Sequence, residues 1–281
     1  MAIITMPHMS AILTATSCRL SVTRRTIEAC QLWSGGSFVR TSDPPCVRVA
    51  LRPPPRPRLL TPAREGTTEA RNSGTDLRVT NTFYKTDLPD GLDLGPIVAI
   101  DCETMGLNPH RDRLCVVQLS GGDGNAHVVQ IGKGQTAAPN LCRVLRDPSV
   151  LKLFHFGRFD IAAMYNAFGA LAAPVYCTKI ASKLIRTYTD RHGLKNLTQE
   201  LLGVDLSKQQ QSSDWGAGRL TAAQIEYAAS DVLYLHALRT ELNARLEREA
   251  RMKLAQACFD FLPTRARLDL EGWPETDIFS H

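Results

Sequence analysis

The stretch that most constrains this chain is residues 96–103, where the apolar, β-branched run PIVAI leads directly into Asp101-Cys102-Glu103. A short run of this kind, broken afterwards by Gly106 to Pro109, reads as a buried strand passing into a loop. Side chains alternate along an extended strand, so Asp101 and Glu103 share one face and Cys102 takes the other. Two carboxylates this close repel and raise one another's pKa unless a cation lies between them. A hard divalent ion that prefers oxygen ligands, Mg²⁺ or Mn²⁺, is the natural resident. Taken alone, an acid pair at this spacing is common and usually marks a solvated strand end.

Further along, residues 113–119 and 126–131 form two strand-like runs joined by Gly121, Gly122, Asp123 and Gly124, which is a hairpin signal. Residues 151–156 (LKLFHF) give another strand, followed by a helical stretch over 158–168 that stops at Gly169. Helical patterns dominate after Thr178, interrupted at Gly193 and by the polar loop 207–218. Thr221 with Gln224 three residues on has the form of a capping box. The helix it opens is expected to run to about Glu249, with Ile225, Ala229, Val232, Leu235, Leu242 and Leu246 as its apolar stripe. Strands followed by helices, with an early hairpin, indicate an α/β fold: a single domain in which a mixed sheet is flanked by helices.

Two more places carry chemistry-bearing residues. Asp160 lies near the start of the helix after residues 151–156; on local sequence it is equally a first-turn acid complementing the helix dipole. Tyr227 and Asp231 are four apart in the capped helix, so they project from one face about a turn apart. By itself that spacing is better explained by a half-buried tyrosine beside a surface acid.

Taken together and in order, these pieces resemble the three exonuclease motifs of the DEDD superfamily in its tyrosine-bearing branch. Ser213-Asp214-Trp215, Leu220-Thr221 and the run YAASDVLYL from Tyr227 look like the third motif of ribonuclease D. The stretches LNPHRDRLCVVQLS, FHFGRFD, SKQQQSSDW and FLPTR look closer still to the short ribonuclease D relatives called nano-RNase C. The resemblance covers about residues 79–281. It implies a ribonuclease H-like DEDD exonuclease fold and a metal-dependent 3′-5′ exoribonuclease releasing nucleoside 5′-monophosphates. In it, Asp101, Glu103, Asp160 and Asp231 hold two divalent cations, Mg²⁺ or Mn²⁺, and Tyr227 orients the attacking water. Two such ions about 3.5 to 4 Å apart clamp the attacking and leaving oxygens of an in-line displacement.

The same resemblance places Thr104, Met105 and Leu107 where family members contact terminal bases. Leu107 can wedge between two bases or cap the core beneath its loop. His155 and Arg158 can approach a phosphate; a core histidine and a surface arginine are the plainer reading. Lys208, Gln209, Gln210, Gln211 and Trp215 line either the substrate path or a subunit contact. Longer ribonuclease D proteins carry helical nucleic-acid-binding domains after the exonuclease fold, whereas few residues follow Asp231 here. Short oligoribonucleotides, dinucleotides included, are therefore the expected substrates. Relatives of the nano-RNase C kind are oligomeric, and residues 259–279 offer an aromatic contact surface for a homo-oligomer. The catalytic positions do not report the sugar, so a DNA 3′-5′ exonuclease is an alternative. So is a catalytically silent RNA-binding module, against which the retention of all five active-site positions argues.

Charge does not decide among these. Residues 1–78 hold eleven arginines, no lysine, five acids and eight prolines, so that segment carries a formal plus 6 and the remainder minus 1. The basic balance thus says nothing about nucleic-acid binding by the folded part. Residues 1–78 show neither helical period nor strand alternation, the composition of a chain that cannot offset its ordering entropy. A transit peptide, a disordered tail and non-native upstream sequence are the three readings, the last favoured by the switch from arginine alone to mixed lysine and arginine after residue 78. Five of the eight cysteines follow residue 78, none in CxxC spacing; they are expected to be reduced thiols of a cytoplasmic protein. No apolar stretch approaches the roughly 20 residues of a membrane span.

Overall fold

A computed structural model describes residues 80–281; the expectations for residues 1–78 lie outside the described residues. The frame is one six-stranded mixed sheet. Its strands are β1 (Asn81–Lys85), β2 (Ile97–Thr104), β3 (Leu114–Ser120), β4 (Ala126–Gln130), β5 (Leu151–Phe154) and β6 (Val175–Cys177), in the spatial order β1-β4-β3-β2-β5-β6. The pairs β2–β3 and β3–β4 are antiparallel, and β1–β4, β2–β5 and β5–β6 are parallel. All seven side chains of β3 are buried, as an apolar run at the centre of a sheet covered by helices must be.

Seven helices accompany the sheet among the described residues: α1 (Pro139–Arg146), α2 (Arg158–Phe168), α3 (Thr178–Ile185), α4 (Leu194–Leu202), α5 (Ala222–Leu233), α6 (Leu235–Arg248) and α7 (Met252–Leu270). The hairpin is β3–β4, and α2 ends at Gly169 in the left-handed conformation (φ 62°) that glycine takes without a Cβ clash. The capping box is present: Thr221 Oγ1 accepts from the Gln224 N–H at 3.2 Å, and Gln224 Oε1 accepts from the Thr221 N–H at 2.9 Å.

Strand β2 carries the acid pair through Glu103 to Thr104, with a register shift between Glu103 and Thr104. Three expectations change. The strand read over residues 151–156 stops at Phe154. The helix opened by Thr221 does not run unbroken to Glu249. It stops at Leu233 and resumes at Leu235 around Tyr234 (φ −101°, ψ −4°), although Val232, Leu235, Leu238, Leu242 and Leu246 all remain fully buried. Periodicity cannot register a one-residue bend whose flanking turns keep the same apolar side inward. Finally, residues 259–279 are not one exposed aromatic surface. Phe259 is buried within α7 and packs on Tyr176 with ring centroids 4.4 Å apart, whereas Phe279 is exposed.

Two parts of this frame bear on the cleft at the end of β2. Strand β5 pairs with β2 only over Ile97, Val98 and Ala99, which frees the backbone N–H of Cys102 for a side-chain partner. Helix α5 packs across β2, β3 and β4, so its inner side chains meet the end of β2. No described helix is long and apolar enough to cross a membrane.

Candidate active site

Strand alternation acts first. Cys102 is buried while Asp101 and Glu103 are half-buried, and all three line one cleft of about 650 Å³ with Asp160, Tyr227 and Asp231. Carboxylate oxygens of Asp101, Glu103 and Asp231 lie within 4.8 Å of one another. Asp160, buried in the first turn of α2, accepts a 3.1 Å hydrogen bond from the freed N–H of Cys102. Beyond any help to the helix dipole, this acid is tied to the strand that carries the pair.

Four acids gathered here are costly as anions. Burial and then the neighbouring Asp160, Asp231 and Glu103 raise the Asp101 carboxyl well above its usual range, with a hydrogen bond from Gln118 pulling the other way. Burial, then Asp231 and Asp160, pushes Glu103 up to about 9. Burial also raises Asp160, against the hydrogen bonds it accepts from Cys102. Asp231 rises through burial too, opposed by the Tyr227 hydroxyl. An all-oxygen donor set whose ionised form calls for a counter-charge fits hard divalent cations such as Mg²⁺ or Mn²⁺.

Tyr227 is half-buried, and burial followed by the charges of Asp231, Glu103 and Asp101 raises its pKa. At neutral pH it therefore stays a phenol, able to orient a water molecule. Its ring lies 6.0 Å from that of the buried Trp215, tilted by 39°. The loop carrying Trp215 is pinned to the sheet and to α5: Arg113 Nη2 donates to Gly216 O at 3.1 Å, Gln130 Nε2 to Ala217 O at 2.9 Å and Gln224 Nε2 to Asp214 O at 3.1 Å.

Of the residues expected to meet substrate, Thr104, Met105, Leu107 and His155 line the cleft. Leu107 is 85% exposed, so it does not cap the core. A tight loop holds it out: Asp112 accepts from the Asn108 N–H at 3.0 Å, and the Met105 N–H donates to Arg113 O at 3.1 Å. His155 meets Thr178 Oγ1 through Nδ1 at 2.8 Å, and burial, followed by the Lys179 charge, drives its pKa down to about 3. Arg158 is not among the cleft residues. Its guanidinium binds Asp269 at 2.5 and 2.7 Å and also donates to the Pro274 carbonyl, which ties α2 to α7. From the polar loop, Lys208, Gln211 and Trp215 line the cleft.

Sequence reasoning missed Gln118, which is fully buried and donates through Nε2 to Asp101 Oδ2 at 2.7 Å. Its signal was present: it is the long polar side chain in the apolar run LCVVQLS, and it stands directly across from Asp101 in the β2–β3 register. Lys179, Lys195 and Phe156, also on the cleft wall, had no such signal.

Comparison with known proteins agrees with this arrangement. Residues 79–247 match the 3′-5′ exonuclease domain family. Ribonuclease D of Gluconacetobacter diazotrophicus is 37% identical over 174 residues, covering 62% of this chain and 44% of that protein. The chain thus spans less than half the length of this curated relative. Among solved structures, Brucella melitensis NrnC with bound Mg²⁺ is 61% identical, with 72% of this chain and 100% of that one covered and a TM-score of 0.70. NrnC bound to pGG is 62% identical, with 72% and 99% covered and a TM-score of 0.71. With the motif order, the sheet and the four-carboxylate cleft all in place, the chain belongs to the 3′-5′ exonuclease family, as a ribonuclease D-like member of its DEDD group.

Proposed function

We propose that the protein is a divalent-metal-dependent 3′-5′ exoribonuclease that favours short RNAs, dinucleotides included, and releases nucleoside 5′-monophosphates. The observation that carries this reading is the convergence of Asp101, Glu103, Asp160, Asp231 and Tyr227 on one cleft whose rim presents the exposed Leu107. The substrate class is supported by the binding of pGG to a protein 62% identical to this one. The exonuclease unit is residues 79–281. Free thiols at Cys102, Cys115, Cys142, Cys177 and Cys258 support a cytoplasmic setting. The exposed side chains of Trp273, Ile278 and Phe279 support a homo-oligomer.

Asp101, Glu103, Asp160 and Asp231 are the residues that would hold two divalent ions. When bound, such ions supply positive charge to the phosphodiester oxygens and lower the pKa of water. Gln118 fixes the orientation of Asp101, and the Cys102 N–H fixes that of Asp160. Tyr227, kept protonated, hydrogen-bonds the attacking water and aims it, while Trp215 limits the swing of the phenol ring. Leu107, with Met105 beside it, meets the terminal bases.

The test is chelation combined with Asp231→Asn. Hydrolysis of a dinucleotide is expected to stop in chelator and return with Mg²⁺ or Mn²⁺, and the variant to stay folded but inactive. Undiminished turnover in chelator would sink the reading.

A further inference from the structure

Between β5 and α2 the chain turns at Phe156, whose φ of +67° is a conformation that Gly or Asn adopts with far less strain than a bulky aromatic residue. The turn is compressed. A Cβ on Gly157 would stand 2.6 Å from Phe154 Cβ, and the Phe159 N–H closes onto Phe156 O at 3.2 Å. That compression accounts for the left-handed backbone; it does not account for a phenyl ring there. The ring is not core material either, because Phe156 is 46% exposed while Phe154 two residues earlier is fully buried.

The surroundings give the ring a use. Phe156, Leu107 and Phe159 line both the carboxylate cleft and the adjoining cavity of about 430 Å³. They form an apolar seam beside the carboxylates. The Lys179 ammonium sits 3.9 Å from the Phe156 ring centroid. A cation over one face fixes the ring's orientation and leaves the opposite face for a flat partner. A strained backbone is kept at a functional site where the side chain it carries is needed.

We propose that Phe156 is a stacking platform for a nucleobase of the substrate, with Lys179 holding the ring in place. The proposal rests on the exonuclease reading above and deepens it, since it names a residue that gives base contact next to the scissile phosphodiester. Stacking on an aromatic ring accepts any base, so the platform contributes affinity without fixing a sequence.

The experiment compares wild type, Phe156→Tyr and Phe156→Asn. Asn suits a left-handed backbone, so Phe156→Asn is expected to melt no lower than wild type. A non-hydrolysable dinucleotide carrying 2-aminopurine, bound in Mg²⁺, reports stacking directly through quenching of its fluorescence. Wild type and Phe156→Tyr are expected to quench it. Phe156→Asn is expected to leave it bright, to bind roughly 10-fold or more weakly, and to show a matching rise in KM for an ordinary dinucleotide with kcat nearly unchanged. Equal quenching and equal KM in Phe156→Asn, with an active wild type, would overturn the platform and leave the exonuclease reading standing. A wild type that neither binds nor cuts dinucleotides would remove both.

Discussion

At the scale of single residues, the site divides into groups that would hold charge and groups that aim them. Tyr227 belongs to the second kind: its hydroxyl faces Asp231, and burial with the surrounding carboxylates keeps it protonated. Tyr227→Phe is therefore expected to leave metal and substrate binding intact while kcat falls by roughly 10² to 10⁴, the range for positioning and proton-transfer groups. An unchanged kcat at saturating substrate would make the tyrosine a packing residue. Each carboxylate could be located in the sequence, but local pattern alone gave it an ordinary structural reading at least as readily, and it was the order of the motifs and their family resemblance that singled the four out. Leu107 was visible only through family resemblance, and its 85% exposure speaks against the role of capping the core. Gln118 stayed hidden because its meaning depends on register, and register is a property of two strands. The role offered to Arg158 failed to materialise for a related reason: its partner, Asp269, lies 111 positions away, a distance over which local pattern carries no information.

At the scale of elements, β2 and α5 position most of the chemistry and α2 adds Asp160. Helix α5 starts where it does because of the capping box, whose Gln224 is buried and also reaches Asp214 in the loop that carries Trp215. Replacing the cap by Thr221→Ala is expected to cost about 1 kcal/mol, lowering the melting temperature by about 2 to 4 °C for a unit of this size. A melting temperature equal to wild type would show that tertiary packing alone sets the helix start. The hairpin β3–β4, helix α2 and the start of α5 were legible, since glycine stops and paired caps are local. Strand β6, three residues long, offers too few positions for a period to show, and β1 (NTFYK) has neither an apolar run nor a buried side. The bend at Tyr234 escaped because the apolar stripe continues straight across it.

For the whole molecule, the acidic cleft links stability to pH and to metal. Glu103 rises from an ordinary value of 4.5 to about 9, and Asp101, Asp160 and Asp231 shift the same way. A raised carboxyl holds its proton longer in the folded than in the unfolded chain. The stability it lends is full below the unfolded value and is lost as pH rises through the folded one. In chelator, the protein is thus expected to melt at progressively lower temperature as pH rises from about 4.5 to about 9. Mg²⁺ should restore more stability at the upper end of that range, since it binds ionised carboxylates. A melting temperature in chelator that is flat over this range would contradict the crowding of the four acids. The central claim, that this cleft removes nucleotides one at a time from 3′ ends of short RNA, is tested most directly by a product time course. RNAs of graded length carrying a 5′ label, incubated with Mg²⁺, are expected to recede stepwise from the 3′ end to the mononucleotide, with the dinucleotide turned over fastest. Internal cuts, or long structured RNAs degraded with much higher kcat/KM than dinucleotides, would contradict it.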